Sequence, residues 1–94
     1  MYLSGMIPED TSLDITGQVK QALAEIDSLL AKGGSDKTKI LTATIWLADI
    51  ADFAVMNSVW DAWVVPGQAP ARATVQAKLS DPQMKVEIMV VSAI

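Results

Sequence analysis

Histidine and cysteine are both absent from this 94-residue chain. Without cysteine there is no thiol nucleophile and no disulfide framework, and without either residue the usual zinc sites cannot be assembled. The missing histidine also removes the side chain that most often carries protons near neutral pH. Basic residues are few: seven Lys and Arg stand against eleven Asp and Glu, a net charge of −4. No basic stripe with interleaved aromatics occurs, so binding to a phosphate backbone is disfavoured and no nucleic-acid partner is expected. No apolar run reaches the roughly 18 to 20 residues of a membrane span. The longest candidate, around residues 43 to 48, is interrupted by Thr44, so no membrane partner is expected. The N-terminus shows no basic segment followed by an apolar stretch, and the expected setting is the cytoplasm. Any chemistry must use Arg, Asp, Glu, Lys, hydroxyls, backbone groups or water, with no metal and no cofactor.

What the chain does have is apolar surface. Hydrophobic residues make up 51% of it, a high share for one small domain near the size at which a single core is only marginally stable. Some of that surface has no partner within a monomer, which favours a homo-oligomer.

The pattern reads as β-α-β-α-β-β. "MYLSG" is a short strand closed by Gly5, followed by a turn-rich stretch with Pro8, Asp10, Thr11 and Ser12. Apolar residues at Ile15, Val19, Ala22, Leu23, Ile26, Leu29 and Leu30 mark one face of a helix over residues 13 to 32, stopped at Gly33-Gly34. "SDKTKI" is a capped single turn. "LTATIWLAD" alternates Leu41, Ala43, Ile45 and Leu47 against Thr42, Thr44, Trp46 and Ala48, the mark of a strand. A second helix carries Phe53, Met56, Trp60, Trp63 and Val64 on its stripe, with Asp49 or Asp52 as cap and Pro66-Gly67 closing it. "APARATVQAKL", residues 69 to 79, alternates Ala71, Ala73, Val75, Ala77 and Leu79 against Arg72, Thr74, Gln76 and Lys78. "SDPQ" is a turn, and "MKVEIMVVSAI" is a final strand apolar on both faces. These elements make an α+β two-layer sandwich, a mixed sheet with both helices on one face. The sheet's second face then needs a cover, and another subunit is the expected one.

A few residues are candidates for chemistry. Arg72 can bind a carboxylate bidentately, or it is a surface arginine at a strand entrance. Glu87, set among β-branched residues, is a candidate acid or base, or an outward residue of an edge strand. Asn57 lies four residues after Phe53 and three before Trp60, so an amide borders the apolar stripe; such an Asn commonly satisfies a nearby backbone group. The tryptophans of "VWDAWVV" fit a core better than an aromatic cage. Asp49 and Asp52 are caps before they are metal ligands. Ser4-Gly5 at a strand end can offer N–H groups to an anion. A hairpin of the last two strands about "SDPQ" would set Arg72 opposite about Val91 and Glu87 opposite about Gln76, on the same face. Four residues of strand span about 13 Å, so one small substrate touching both would take them from neighbouring subunits.

The runs "LADIADFAVMNSVWDAWV", "PARATVQAKL" and "KVEIMVVSAI" resemble the reactive-intermediate deaminase (Rid) family, also called YjgF-like or L-PSP endoribonuclease-like proteins. "YLSGMIP" is similar to the family's strand ending in Ser-Gly before Ile-Pro, and "NxxWDAWV" looks like its short bacterial subgroup. The resemblance implies a chorismate-mutase-like fold, a homotrimer with the sheets around its threefold axis, and sites at the subunit interfaces. It implies hydrolysis of 2-imino acids, tautomers of enamines released by pyridoxal-phosphate dehydratases, to 2-oxo acids and ammonia. Arg72 matches the family's carboxylate-binding arginine and Glu87 its motif glutamate, and these are the expected catalytic residues. Gly5, Asn57 and Thr74 fall at substrate-binding positions.

Two departures stand out. The family begins with a further strand, often bearing an aromatic residue that enters the pocket, and residues 1 to 94 read as a single domain starting after it. Thr74 stands where many members have cysteine, which argues against thiol-dependent chemistry. The alternative function is a trimer that binds small 2-oxo or other carboxylic acids without turnover, as a sensor or partner-binding module. RNA cleavage ranks third, given the acidic charge and the absence of histidine.

Overall fold

The computed structural model describes all 94 residues. Helix α1 spans Ile15–Lys32. Its first turn is capped by Asp14, whose carboxylate accepts from the Gly17 N–H at 2.9 Å and so satisfies one of the free donors at a helix start. It ends where Gly34 takes a φ of +80°, a backbone conformation glycine adopts without Cβ strain. Val19, Ala22, Leu23, Ile26 and Leu30 are buried as the periodicity predicts, and Ile15 and Leu29 pack at the margin of the core.

The "SDKTKI" turn is a single 3₁₀ turn, Lys37–Lys39. Hydrogen bonds from the Thr38 hydroxyl and backbone N–H hold the Asp36 carboxyl below its ordinary value of 3.8. That small stabilisation is present above the ordinary value and is lost as pH falls through the lower folded one.

Three strands follow: β1 over Ile40–Leu47, β2 over Ala71–Gln76 and β3 over Val86–Ser92, with helix α2 over Phe53–Trp63 between β1 and β2. The sheet order is β2-β1-β3, β1 being parallel to β2 and antiparallel to β3. Both helices cover one face. Leu23, Ile26, Met56 and Trp60 join Ala43, Ile45, Leu47, Val86, Ile88 and Val90 in a single core, and the fold is the two-layer α+β sandwich.

Several sequence expectations need correction. The opening "MYLSG" is not a regular strand: it touches β3 through two isolated bridges, Tyr2 with Val91 and Met6 with Ile88. Four steps on one chain face three on the other, so an irregular residue breaks the ladder. In β1 the inward residue at the start is Ile40, 5% exposed, while Leu41 is 57% exposed. The register shift between Ile40 and Thr42 explains it, because one extra residue turns the strand over before Ala43 restores the alternation. Asp49 caps a 3₁₀ turn at Ile50–Asp52 by accepting from Ala51 N–H, and Asp52 precedes α2 with no side-chain cap bond. Finally, β2 and β3 do not form a hairpin, since β1 lies between them.

Gln18 ties the long loops together. Fully buried, it donates through Nε2 to the carbonyls of Thr11, Leu13 and Gln83, and its Oε1 accepts from Lys85 N–H at 2.7 Å. One side chain thus joins α1 to the segment before it and to the turn that feeds β3.

Trp60, 4% exposed, is core, whereas Trp63 is half-buried and donates its ring N–H to Asp27 at 2.8 Å. Trp60→Ala should therefore cost about 3–5 kcal/mol in urea unfolding, and Trp63→Ala clearly less; equal losses would contradict the burial difference. Gln18→Ala strands a buried N–H and should cost about 2–3 kcal/mol in the same measurement. A change within 0.5 kcal/mol, the range of about neutral surface substitutions, would show that water replaces the amide.

Candidate ligand-binding site

Strand β2 is inverted relative to the usual pattern. Its register aligns Arg72 with Ala43 and Thr74 with Ile45, both core-facing positions of β1, so Arg72, Thr74 and Gln76 point to the helix side. Its apolar residues Ala71, Ala73 and Val75 point the other way and are exposed, Val75 at 47%.

Opposite this polar edge stands α2. Phe53, Asn57 and Trp60 recur at helical spacing on one face. Asn57 Oδ1 accepts from Arg72 Nη1 at 2.7 Å. The guanidinium carbon lies 5.4 Å from the Trp60 ring centroid and 5.8 Å from that of Phe53, within cation–π range. The half-buried arginine is thus gripped by one amide and two rings. Of its five N–H donors, one is given to Asn57. A fixed planar fork with donors unspent is the geometry that binds a carboxylate. Thr74 shares this face, its Oγ1 buried and without a hydrogen-bond partner.

Glu87 lies elsewhere. It aligns with Trp46 of β1, so it sits on the face that no helix covers. Beside it is Gly5, and a Cβ there would meet the end of the Glu87 side chain, so the carboxylate lies where a larger residue would make it move. Arg72 and Glu87 are three residues apart along β1's register and two strands apart, about 14 Å by standard spacings, and on opposite faces. The expected facings, Arg72 with Val91 and Glu87 with Gln76, are replaced by Arg72 with Ala43 and Glu87 with Trp46.

The structure thus brings Arg72, Asn57 and Thr74 together, brings Gly5 and Glu87 together, and keeps the two groups apart. The aromatic grip on Arg72 was missed in the sequence, although the spacing of Phe53, Asn57 and Trp60 carried the signal. Phe53, read as core, is 40% exposed because it lies at the rim above Arg72. The largest concavity of the chain, about 680 Å³, lies over Gly5–Glu9 and α1 and includes neither Arg72 nor Glu87. It follows loop shape, whereas the charged groups follow the strands, and the latter decide where chemistry can occur. No three Asp or Glu gather as a metal site, and no helix is long and apolar enough to cross a membrane.

Comparison with known proteins agrees with this framework. The family model described as Endoribonuclease L-PSP matches residues 1–94. The RutC family protein YoaB of Escherichia coli is 53% identical over 94 residues, all of this chain and 82% of its own. Reactive Intermediate Deaminase A of Arabidopsis thaliana is 34% identical over 87 residues, 89% of this chain and 46% of its own. A crystal structure of a YjgF-family member from Neisseria meningitidis superposes with a TM-score of 0.94 at 48% identity, covering 97% of this chain and 76% of that one. With a match along its whole length and relatives near half identity, the chain belongs to the Endoribonuclease L-PSP family, the YjgF or Rid proteins.

Proposed function

We propose that the protein hydrolyses reactive 2-imino acids, and the enamines that tautomerise to them, to 2-oxo acids and ammonia at the interfaces of a homotrimer. The observation that carries the reading is the Arg72 fork, oriented by Asn57 and two rings with donors left for an anion. The name of the Arabidopsis relative supports the reaction class.

On this reading Arg72 holds the substrate carboxylate, and backbone groups near Thr74, with Gly5 beside Glu87 of a neighbouring subunit, position the rest. Water adds to the imine carbon, forming a C–O bond as the C=N π pair moves to nitrogen. Glu87 of a neighbouring subunit takes one proton from the water and delivers it to that nitrogen. The carbinol hydroxyl then gives up its proton, which passes to the nitrogen as the C–N bond breaks, ammonia leaves and the carbonyl forms. Positioning carries the rate, since no strong nucleophile is needed.

Assembly follows from the uncovered face of the sheet. Trp46, Val75, Met89 and Val91 lie there with no helix above them, an apolar area that a second copy would remove from water. The reading sets the protein in the cytoplasm, beside the dehydratases that release its substrates. RNA cleavage is disfavoured for a chain of net charge −4 without histidine.

A second reading, a trimer that binds small carboxylates without turnover, is favoured by one fact: a single chain holds the anchor but keeps Glu87 on the other face.

Three measurements check these readings. Sedimentation equilibrium should give about three times the 10.0 kDa chain mass, and a stable monomer would contradict the trimer. The protein should accelerate release of 2-oxobutanoate from a threonine dehydratase reaction. Arg72→Ala should abolish that acceleration and Arg72→Lys should cut it strongly, with mass and fold retained. An Arg72→Ala protein as active as the parent overturns the deaminase, while a parent that binds 2-oxobutanoate without accelerating its release establishes the binding module.

A further inference from the structure

The outer surface of the helix layer carries few charges. Among the eleven residues of α2 only Asp61 is charged, and Val55, 42% exposed, and Ala62 recur at helical spacing on its solvent side. Asp61 lies about 100° round the helix from Ala62. Between α1 and α2 runs a groove of about 240 Å³, floored by Leu23 and Val59 and ended by the Trp63 ring. Its α1 edge is Lys20, Ala24 and Asp27. These stand at i, i+4 and i+7 on one stripe, a cation and an anion about 10 Å apart along the axis with a small residue between them. Asp27 accepts from the Trp63 ring N–H through Oδ2, which leaves Oδ1 for a partner.

This pattern is its own complement. When a second α1 is turned end for end about a twofold axis at Ala24, its Asp27 meets Lys20 and its Lys20 meets Asp27. A copy laid the same way round would set lysine against lysine and aspartate against aspartate. The same axis serves α2. Val59 and Ala62 share the groove with residues 20 to 24 and Trp63 bonds Asp27, so the two helices run in the same direction. Val55 is then level with Lys20, and the axis carries it onto Ala62 and Trp63 of the other copy.

We propose that the outer face of this helix layer is a self-association surface, on which a second copy docks antiparallel about a twofold axis beside Ala24. The face is about 20 Å wide, two helix diameters, and about 17 Å long, the length of α2. That is roughly 340 Å² per copy, against about 800 Å² per partner in a standard interface. The association is accordingly weak and depends on concentration. It uses neither Arg72 nor the uncovered face of the sheet, so it adds to any assembly built on that face.

The test is sedimentation velocity from micromolar to near-millimolar concentration. The weight-average mass of the parent should rise above that of Ala24→Arg, which puts a long side chain at the axis and should hold one base mass throughout. Lys20→Glu and Asp27→Lys each turn two attractions into two repulsions and should each weaken association roughly tenfold or more. Their equimolar mixture should recover it, because both opposite-charge pairs are restored between unlike copies. If Asp27→Lys fails to fold, Asp27→Asn keeps an acceptor for Trp63, and its mixture with Lys20→Glu, which restores one pair, should associate more than either alone.

A parent that keeps the mass of Ala24→Arg at every concentration overturns the proposal. So does association that survives both Ala24→Arg and Lys20→Glu unchanged, or a mixture no heavier than its components. The trimer is judged separately, by the base mass of the Ala24→Arg protein.

Discussion

The central strand β1 is the constraint on which the other parts depend. It pairs with β2 on one edge and β3 on the other, and its core-facing residues Ala43, Ile45 and Leu47 set the facing of both neighbours. A register one residue different would turn every side chain of β2 to the opposite face. Arg72 would then stand among Trp46 and Val75's neighbours on the uncovered side, and the grip by α2 would be lost. Small Ala43 beside Arg72 leaves room for a long side chain in a layer otherwise filled by Ile and Leu. The arginine stem packs as an apolar chain while its head keeps polar and π partners, which makes half-burial of the charge tolerable.

The same constraint explains why one chain does not complete a two-residue site. Parallel pairing turns Arg72 toward α2, and antiparallel pairing on the other edge turns Glu87 away from it. No rotation of side chains bridges opposite faces of a sheet. Any chemistry that joins the two charges must seat the uncovered face of one copy near the β2 edge of another. The inversion of β2 serves both needs at once: its polar residues equip the anchor, and its apolar residues extend the uncovered patch that a second copy would bury. The arginine held by α2 and the uncovered apolar patch are therefore written on alternate residues of one strand.

Much of this was legible in the sequence, and the failures have physical causes. The stripe of α1 and its glycine stop are local signals and lie where the periodicity put them, although the helix starts at Ile15 behind the Asp14 cap, two residues later than expected. The alternation of β2 was also legible, but which face turns inward was not, because that depends on pairing with residues some thirty positions earlier. The hairpin expectation failed for the same reason. Turn chemistry at "SDPQ" is real, with Asp81 accepting from the Gln83 N–H, yet a turn does not decide which strands pair. Ile40 and Leu41 exchanged roles through a register shift that no composition signal announces. Gly5 was picked out as an N–H donor at a strand end, and the structure also sets it against the end of the Glu87 side chain.

Trp60 shows why core and site cannot be separated in a domain of this size. Its ring is 4% exposed and belongs to the single core, and the same ring carries the Arg72 guanidinium. Asn57, one turn earlier, holds the other side of that group. A change that loosens α2 therefore moves the anchor, and a change that empties the anchor exposes the edge of the core. In a larger protein a second layer of residues would isolate the two roles. Here Arg72 is oriented by the same packing that folds the chain, and the pre-organisation of the anchor is a by-product of the core's own rigidity.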